Sequence, residues 1–206
     1  MVYGFCGAHR SGKTTLARRV AEDLGIEFLE VRTGPVMKAH GINIVADMPM
    51  GERIAAQEIL LAHHVKTIEE AGRPLITDRT PLDMAAYTLG EVFMNRLKME
   101  TDEERRLDAR VDAYVATCMA LFRRHYQAAV MVKPLEIYVD EDGKPPASRA
   151  YQWHFNYLLR GLLDSSKITH AILNGDDFEQ RVESAGNFVI SQIEELERER
   201  NACLAH

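Results

Sequence analysis

The chain has 206 residues, 46% hydrophobic and 27% charged, which is enough for one sizeable core and too balanced for a disordered or low-complexity protein. Twenty-five Lys and Arg against 31 Asp and Glu give a formal charge of −6, so composition excludes a general basic surface for nucleic acid, leaving only a local basic groove. Cys6, Cys118 and Cys203 are odd in number and lack metal-ligand spacing, no apolar run reaches the length of a membrane span, and MVYGFCGAHR lacks the features of a signal peptide. A soluble, cytoplasmic protein is expected, with residues 1–206 forming a single domain.

The apolar run VYGFC, residues 2–6, reads as a first strand, and Cys6 as part of its core. A helix is expected over 13–24, stopped by Gly25, and a second strand over EFLEV, 27–31. Residues 32–50 hold Gly34, Pro35, Gly41 and Pro49 with little periodicity and read as a long connection, a place where acceptor pockets are often built. ERIAAQEILLAHHVKTIEEAG has helical spacing, PLITD (74–78) is a third strand ending on an acid, and Pro81 opens another helix. Thr101 and Glu104 have capping-box spacing ahead of a long helix. A fourth strand is expected around 129–132, a helix over 147–164, a fifth strand at AILNG, and a closing helix from Asp176 onward. Strands alternating with helices predict an α/β protein: a three-layer sandwich with a five-stranded parallel sheet and helices on both faces. In such sheets ligands gather at the carboxyl ends of the strands.

The exit from the first strand, GAHRSGKTT, fits G-x-x-x-x-G-K-[ST]. Glycines let consecutive backbone N–H groups curl around a phosphate, and the following helix adds its N-terminal partial charge. Gly7, Ala8, His9, Arg10, Ser11, Gly12, Lys13, Thr14 and Thr15 are therefore the expected nucleotide-binding residues. Lys13 is placed on the β- and γ-phosphates of ATP and the Thr14 hydroxyl on Mg²⁺.

TDRTPLD, 77–83, is the second constellation. Asp78 closes a strand and Arg79 follows it, so both overlook the phosphate site if the third strand lies beside the first. Asp78 in that place holds Mg²⁺ or accepts the proton of an attacking hydroxyl, and Arg79 clamps an anionic substrate. The alternative is a strand-terminal ion pair or helix cap. Asp83 is open between the acceptor site and its own helix's first-turn donors.

GAHRSGKTT followed by a strand ending DRTPLD resembles the P-loop nucleoside and nucleotide kinases, particularly the ribosylnicotinamide kinase-like branch common in phages, some of whose members phosphorylate hydroxymethyluracil bases in DNA. The resemblance implies a P-loop kinase fold, ATP and Mg²⁺ at Gly7–Thr15, and an acceptor hydroxyl near Asp78 and Arg79. It also implies a lid, for which the candidate is 140–154, with Lys144 and Arg149 as its cations. Arg149 lies six residues beyond Gly143, farther than the usual lid arginine, so a solvated turn stays open. By the same resemblance Asn174 and Gly175 face the adenine.

Arg32 is the most obvious anion ligand in the loop after the second strand, and Arg32, Lys38, Arg53 and Arg79 are the residues that could line a local basic groove. His63 and His64 are neighbours on a helix and point apart, which argues against a shared metal. Trp153 and Tyr151 read either as packing or as a base-stacking pair. The function expected is phosphoryl transfer from ATP to a nucleoside- or nucleotide-type acceptor, or to a hydroxymethylated base in DNA. The other class is a P-loop ATPase or nucleotide-dependent switch, for which no sensor pattern follows the fourth strand.

Overall fold

The computed structural model describes residues 1–43, 48–94, 100–135, 148–175 and 177–204. Five strands, β1 (Val2–Cys6), β2 (Glu27–Leu29), β3 (Leu75–Thr77), β4 (Ala128–Val132) and β5 (Thr169–Leu173), form one parallel sheet in the order β2-β3-β1-β4-β5. The central strand β1 is buried at all five positions, which is why its sequence reads as a continuous apolar run with no alternation. β3 pairs with β1 in the register Val2 to Leu75, Tyr3 to Ile76 and Gly4 to Thr77. The exits of β1 and β3 therefore stand side by side at the carboxyl edge of the sheet.

Helices α1 (Lys13–Leu24) and α7 (Phe178–Leu204) cover one face, where Leu16, Ala17 and Val20 meet Phe5, Val130, Ala185 and Val189. On the other face α3 (Met50–Glu70), α4 (Pro81–Met94), α5 (Asp102–His125) and α6 (Arg149–Ser166) pack Ile68, Leu82, Phe122, Phe155 and Leu159 against Val2, Cys6 and Met131. Alternate residues of β1 serve the two faces, as the period of a strand requires. This is the expected three-layer α/β sandwich.

Several boundaries differ from the sequence reading. The connection 32–50 contains a short helix, α2 (Thr33–Ala39), which buries Met37 among α3 and α4 residues; one apolar anchor in a Gly- and Pro-rich segment carries too little periodicity to announce it. β2 stops at Leu29, and β5 begins two residues before AILNG, at Thr169, because its pairing with β4 starts at Ala128 opposite Thr169. The expected capping box is present: the Thr101 side chain accepts from the Glu104 amide and Glu104 accepts from that of Thr101. Among the described residues no helix is long and apolar enough to cross a membrane.

Candidate active site

The turn from β1 into α1 forms the floor of the site. Gly7 has φ +153°, and a Cβ there would lie 2.3 Å from the Val132 carbonyl oxygen, so β4 itself excludes any side chain. Arg10 adopts a left-handed φ of 60°, an uncommon conformation for a residue other than glycine, and the turn curls through it into Gly12 at φ 75°. α1 then starts without a side-chain cap and without an acidic residue in its first turn. The contrast with the boxed start of α5 is chemical: α1 opens with backbone donors and a partial positive charge that no side chain of its own satisfies. The Ser11 hydroxyl, 1% exposed, also has no hydrogen-bond partner. A chain of phosphates fits this donor-rich floor.

Lys13 and Thr14 stand at the start of α1, both half-buried. Burial pulls the Lys13 pKa down, and the nearby Asp83 carboxylate opposes that shift. The Thr14 hydroxyl donates to Asp78 Oδ2 at 2.7 Å, joining the end of β3 to the P-loop, while Asp78 Oδ1 accepts from the Val31 amide at 2.8 Å. The Thr14 hydroxyl and the Asp78 carboxylate are hard oxygen donors, the type that suits Mg²⁺. Among the described residues no cluster of three or more His, Cys, Asp or Glu could hold an ion by itself. A metal here would take the rest of its shell from phosphate and water.

Asp83 is 1% exposed and its carboxylate is fully engaged: Oδ1 accepts from the Gly7 amide at 3.0 Å, and Oδ2 from the Thr80 amide and hydroxyl, both at 2.8 Å. Of the two readings left open by its sequence position, this geometry is that of the first-turn acceptor, extended to clamp the P-loop. Burial pushes its pKa up, and Lys13 pulls against that most strongly.

Arg79 projects beside this clamp, with its guanidinium carbon 5.7 Å from the centroid of Tyr87. Tyr87 also meets the His9 ring at 4.7 Å and the Phe155 ring at 4.3 Å. Gln152 on α6 donates to the His9 carbonyl at 2.8 Å. Sequence reasoning missed both residues, although signals existed. Tyr87 lies one helical turn beyond Asp83 on the same face of α4, and Gln152 is an amide at a core position of an amphipathic helix.

The remaining expected residues are more dispersed. Arg149 begins α6, bonds the Leu135 carbonyl and lies 5.5 Å over the ring of Trp153, which stacks on Tyr157 at 6.0 Å. Lys144 and the rest of the expected lid before residue 148 lie outside the described residues. Arg32 is 68% exposed and pairs with Glu30 at 3.0 Å, a carboxylate that Arg18 also reaches at 2.7 Å; Arg53 is ion-paired with Glu91. Thr15 is exposed on α1, and Ala8 is buried.

A family model described as an AAA domain matches residues 3–181. The chain belongs to this AAA-domain family. Its match begins in β1 and runs into α7, so the P-loop, the Asp78–Thr80 segment and all of the sheet but Val2 fall inside the family's domain. No curated protein matches the chain in sequence. Among solved structures, deoxyadenosine kinase from M. mycoides with bound dCTP is similar at 14% identity, with a TM-score of 0.63 over 93% of this chain and 100% of that one. Shikimate kinase from Acinetobacter baumannii in complex with shikimate is similar at 14% identity and a TM-score of 0.51, over 92% of each chain. NadR in complex with NAD and AMP-PNP matches at 16% identity and a TM-score of 0.50, over 90% of this chain and 48% of that one. The AAA-domain chain thus shares the fold of P-loop kinases.

Proposed function

We propose that the protein is an ATP-dependent phosphotransferase that moves the γ-phosphoryl group to a hydroxyl or phosphate of a nucleoside- or nucleotide-type acceptor. The observation that carries this reading is the 2.7 Å bond from Thr14 to Asp78, which puts the P-loop hydroxyl and the strand-terminal carboxylate on one spot, with Arg79 next in the chain. Within Gly7 to Thr15, whose Gly7 amide is given to Asp83, the later backbone donors and the α1 terminus hold the triphosphate, and Lys13 meets its outer phosphates. Thr14 and Asp78 would hold Mg²⁺, which would supply positive charge against the negative charge growing on the transferred group. Asp78 serves the metal side of the site, because both its oxygens already face Thr14 and the Val31 amide.

Arg79 binds the transferred group or the acceptor's anion, and Arg149, at the start of α6, is the candidate second cation for the nucleotide's phosphates. Arg32 and Glu30, where β2 leads into α2, line the acceptor side. Asp83 supports substrate binding indirectly, by holding the Gly7 amide and the Thr80 peptide in place. The whole chain works as one kinase domain. Within the acceptor class, a hydroxymethylated uracil base in DNA is a narrower candidate of the phage type.

The test uses γ-labelled ATP, Mg²⁺ and the purified chain with nucleosides, nucleotides and oligonucleotides with and without hydroxymethyluracil. ADP release should be slow alone and rise at least about tenfold with the right acceptor, which takes up the label. Asp78→Asn should depress that rate and weaken its dependence on Mg²⁺. Brisk ADP release into inorganic phosphate with no response to any acceptor would make the protein an ATPase or switch instead.

A further inference from the structure

Beneath the Asp78-Arg79-Thr80 segment, buried polar groups from α3, β3 and the end of α5 converge on a single peptide. The Tyr126 hydroxyl lies 2.8 Å from His64 Nε2, 3.2 Å from Thr77 Oγ1 and 3.3 Å from the Arg79 carbonyl oxygen. Thr77 Oγ1 donates to the same carbonyl at 2.9 Å. His64, Thr77 and Tyr126 are each at most 1% exposed.

The proton inventory sets the direction of this chain. His64 is neutral, its pKa pulled down to about 3 by burial and then by the charge of Arg79, so it carries one ring proton. Its Nδ1 has no partner, and a buried lone pair without a donor is less costly than a buried N–H without an acceptor. The proton therefore sits on Nε2 and is donated to Tyr126. The tyrosine's own proton is then available to the Arg79 carbonyl, whose two lone pairs are filled by Tyr126 and Thr77. On the far side of the same peptide, the Thr80 amide donates to Asp83 Oδ2 at 2.8 Å. The peptide joining Arg79 to Thr80 is thus held at both its oxygen and its nitrogen.

Space for this arrangement is reserved in β1. A Cβ on Gly4 would stand 2.4 Å from Thr80 Cγ2 and 2.8 Å from Tyr126 Cε1. The glycine in VYGFC lets the tyrosine ring slide under the segment, a reason for a strand glycine that packing of the strand alone does not supply.

We propose that Tyr126, oriented by His64, is a positioning residue that fixes the Arg79 peptide and so holds the Arg79 guanidinium in place beside Tyr87 and the P-loop. Its effect on turnover rests on the phosphotransfer reading; its effect on Arg79 does not. Tyr126 touches no reacting atom and acts through the backbone of its neighbour.

The experiment compares wild type, Tyr126→Phe, His64→Leu and the double variant of the full chain. One readout is the order parameter of the Arg79 Nε–H by NMR, assigned with Arg79→Lys, and the other is acceptor-dependent turnover with its KM for ATP. Tyr126→Phe should lower the Arg79 order parameter from about 0.8 toward 0.6. It should also reduce kcat about tenfold with KM for ATP unchanged. It leaves the His64 N–H unpartnered, so Tm should fall too. Adding His64→Leu removes that donor and should restore Tm while Arg79 order and kcat stay low. Recovery of kcat together with Tm in the double variant, or an Arg79 order parameter unmoved in Tyr126→Phe, would overturn the proposal. If wild type transfers phosphate to no acceptor, the kinase reading is what fails, and the Arg79 order parameter alone decides the role of Tyr126.

Discussion

The two faces of the sheet are built from different material. Under α1 and α7 the interior is almost wholly aliphatic and aromatic, with Phe5, Leu16, Val20, Val130 and Val189, and Arg181 is the buried charged group on that side among the described residues. Under α3 to α6 the apolar cluster is threaded with His64, Thr77, Asp83, Thr88, Gln152 and Asn156, all buried. Burying polar groups is expensive unless each is bonded, so a fold does not accumulate them on one face without geometric gain. What several buried polar groups of this face achieve is visible in their targets: Asp83 holds Gly7 and Thr80, Gln152 holds His9, and Tyr126, bonded to His64, holds Arg79. One face is scaffold, and the other orients the site.

If this division holds, changes on the two sides should separate stability from chemistry. The largest effect is expected at the floor of the site. Lys13→Ala should lower phosphotransfer by about 100-fold or more, the scale of losing a donor to developing charge, with the thermal midpoint within a degree or two of wild type. Near-normal turnover in this variant would remove the P-loop from the chemistry.

Val20→Ala and Asp83→Asn form the sharpest contrast. Each should lower stability by about 2 kcal/mol, the first by a cavity in the dry face and the second by turning one acceptor of the clamp into a donor. At a temperature where both remain folded, Val20→Ala should keep wild-type kcat, whereas Asp83→Asn should not. Equal losses of kcat in the two variants, measured beside urea denaturation curves, would dissolve the comparison.

His64 supplies a pH test of the polar face. In the folded protein it titrates near 3 against an ordinary 6.5, so between those values the unfolded chain binds the extra proton first. The stability linked to this group is complete above about pH 6.5 and is lost as pH falls, by about 1.4 kcal/mol per pH unit until about pH 3. Denaturation midpoints between pH 7 and 5 should slope less steeply in His64→Leu than in wild type; parallel slopes would mean that His64 is protonated in the folded state. The smallest effect is expected outside both faces. Arg110 meets Glu58 at 2.6 and 3.0 Å in an exposed pair, and Arg110→Ala should cost under about 1 kcal/mol, shrinking further in 0.5 M salt.

Much of the site was legible in local sequence. GAHRSGKTT announces itself because a phosphate cradle needs its glycines, lysine and hydroxyl at fixed spacing along one turn, and the start of α1 at Lys13 obeys that spacing. Asp78 was legible as an acid closing an apolar strand, and Thr101 with Glu104 as a box whose two bonds lie within four residues. The order β2-β3-β1-β4-β5 was not, because strand neighbours are chosen by side chains far apart in the chain; only that order puts Asp78 beside Thr14, 64 residues away. α2 was missed because a single buried methionine leaves no period to read.

By itself, then, the sequence determined what is local or periodic: the alternation of buried strands with amphipathic helices, the phosphate-binding turn, and the acid and arginine at the exit of β3. Only the tertiary structure decided which of those residues act together. Whether Asp83 faces a substrate or clamps Gly7, whether Gln152 and Tyr126 are core filler or supports for His9 and Arg79, and why Gly4 interrupts a β-strand all depend on distances between segments far apart in the chain. Hydrogen bonds of that kind depend on position in space to within a few tenths of an ångström, which no spacing along the chain encodes.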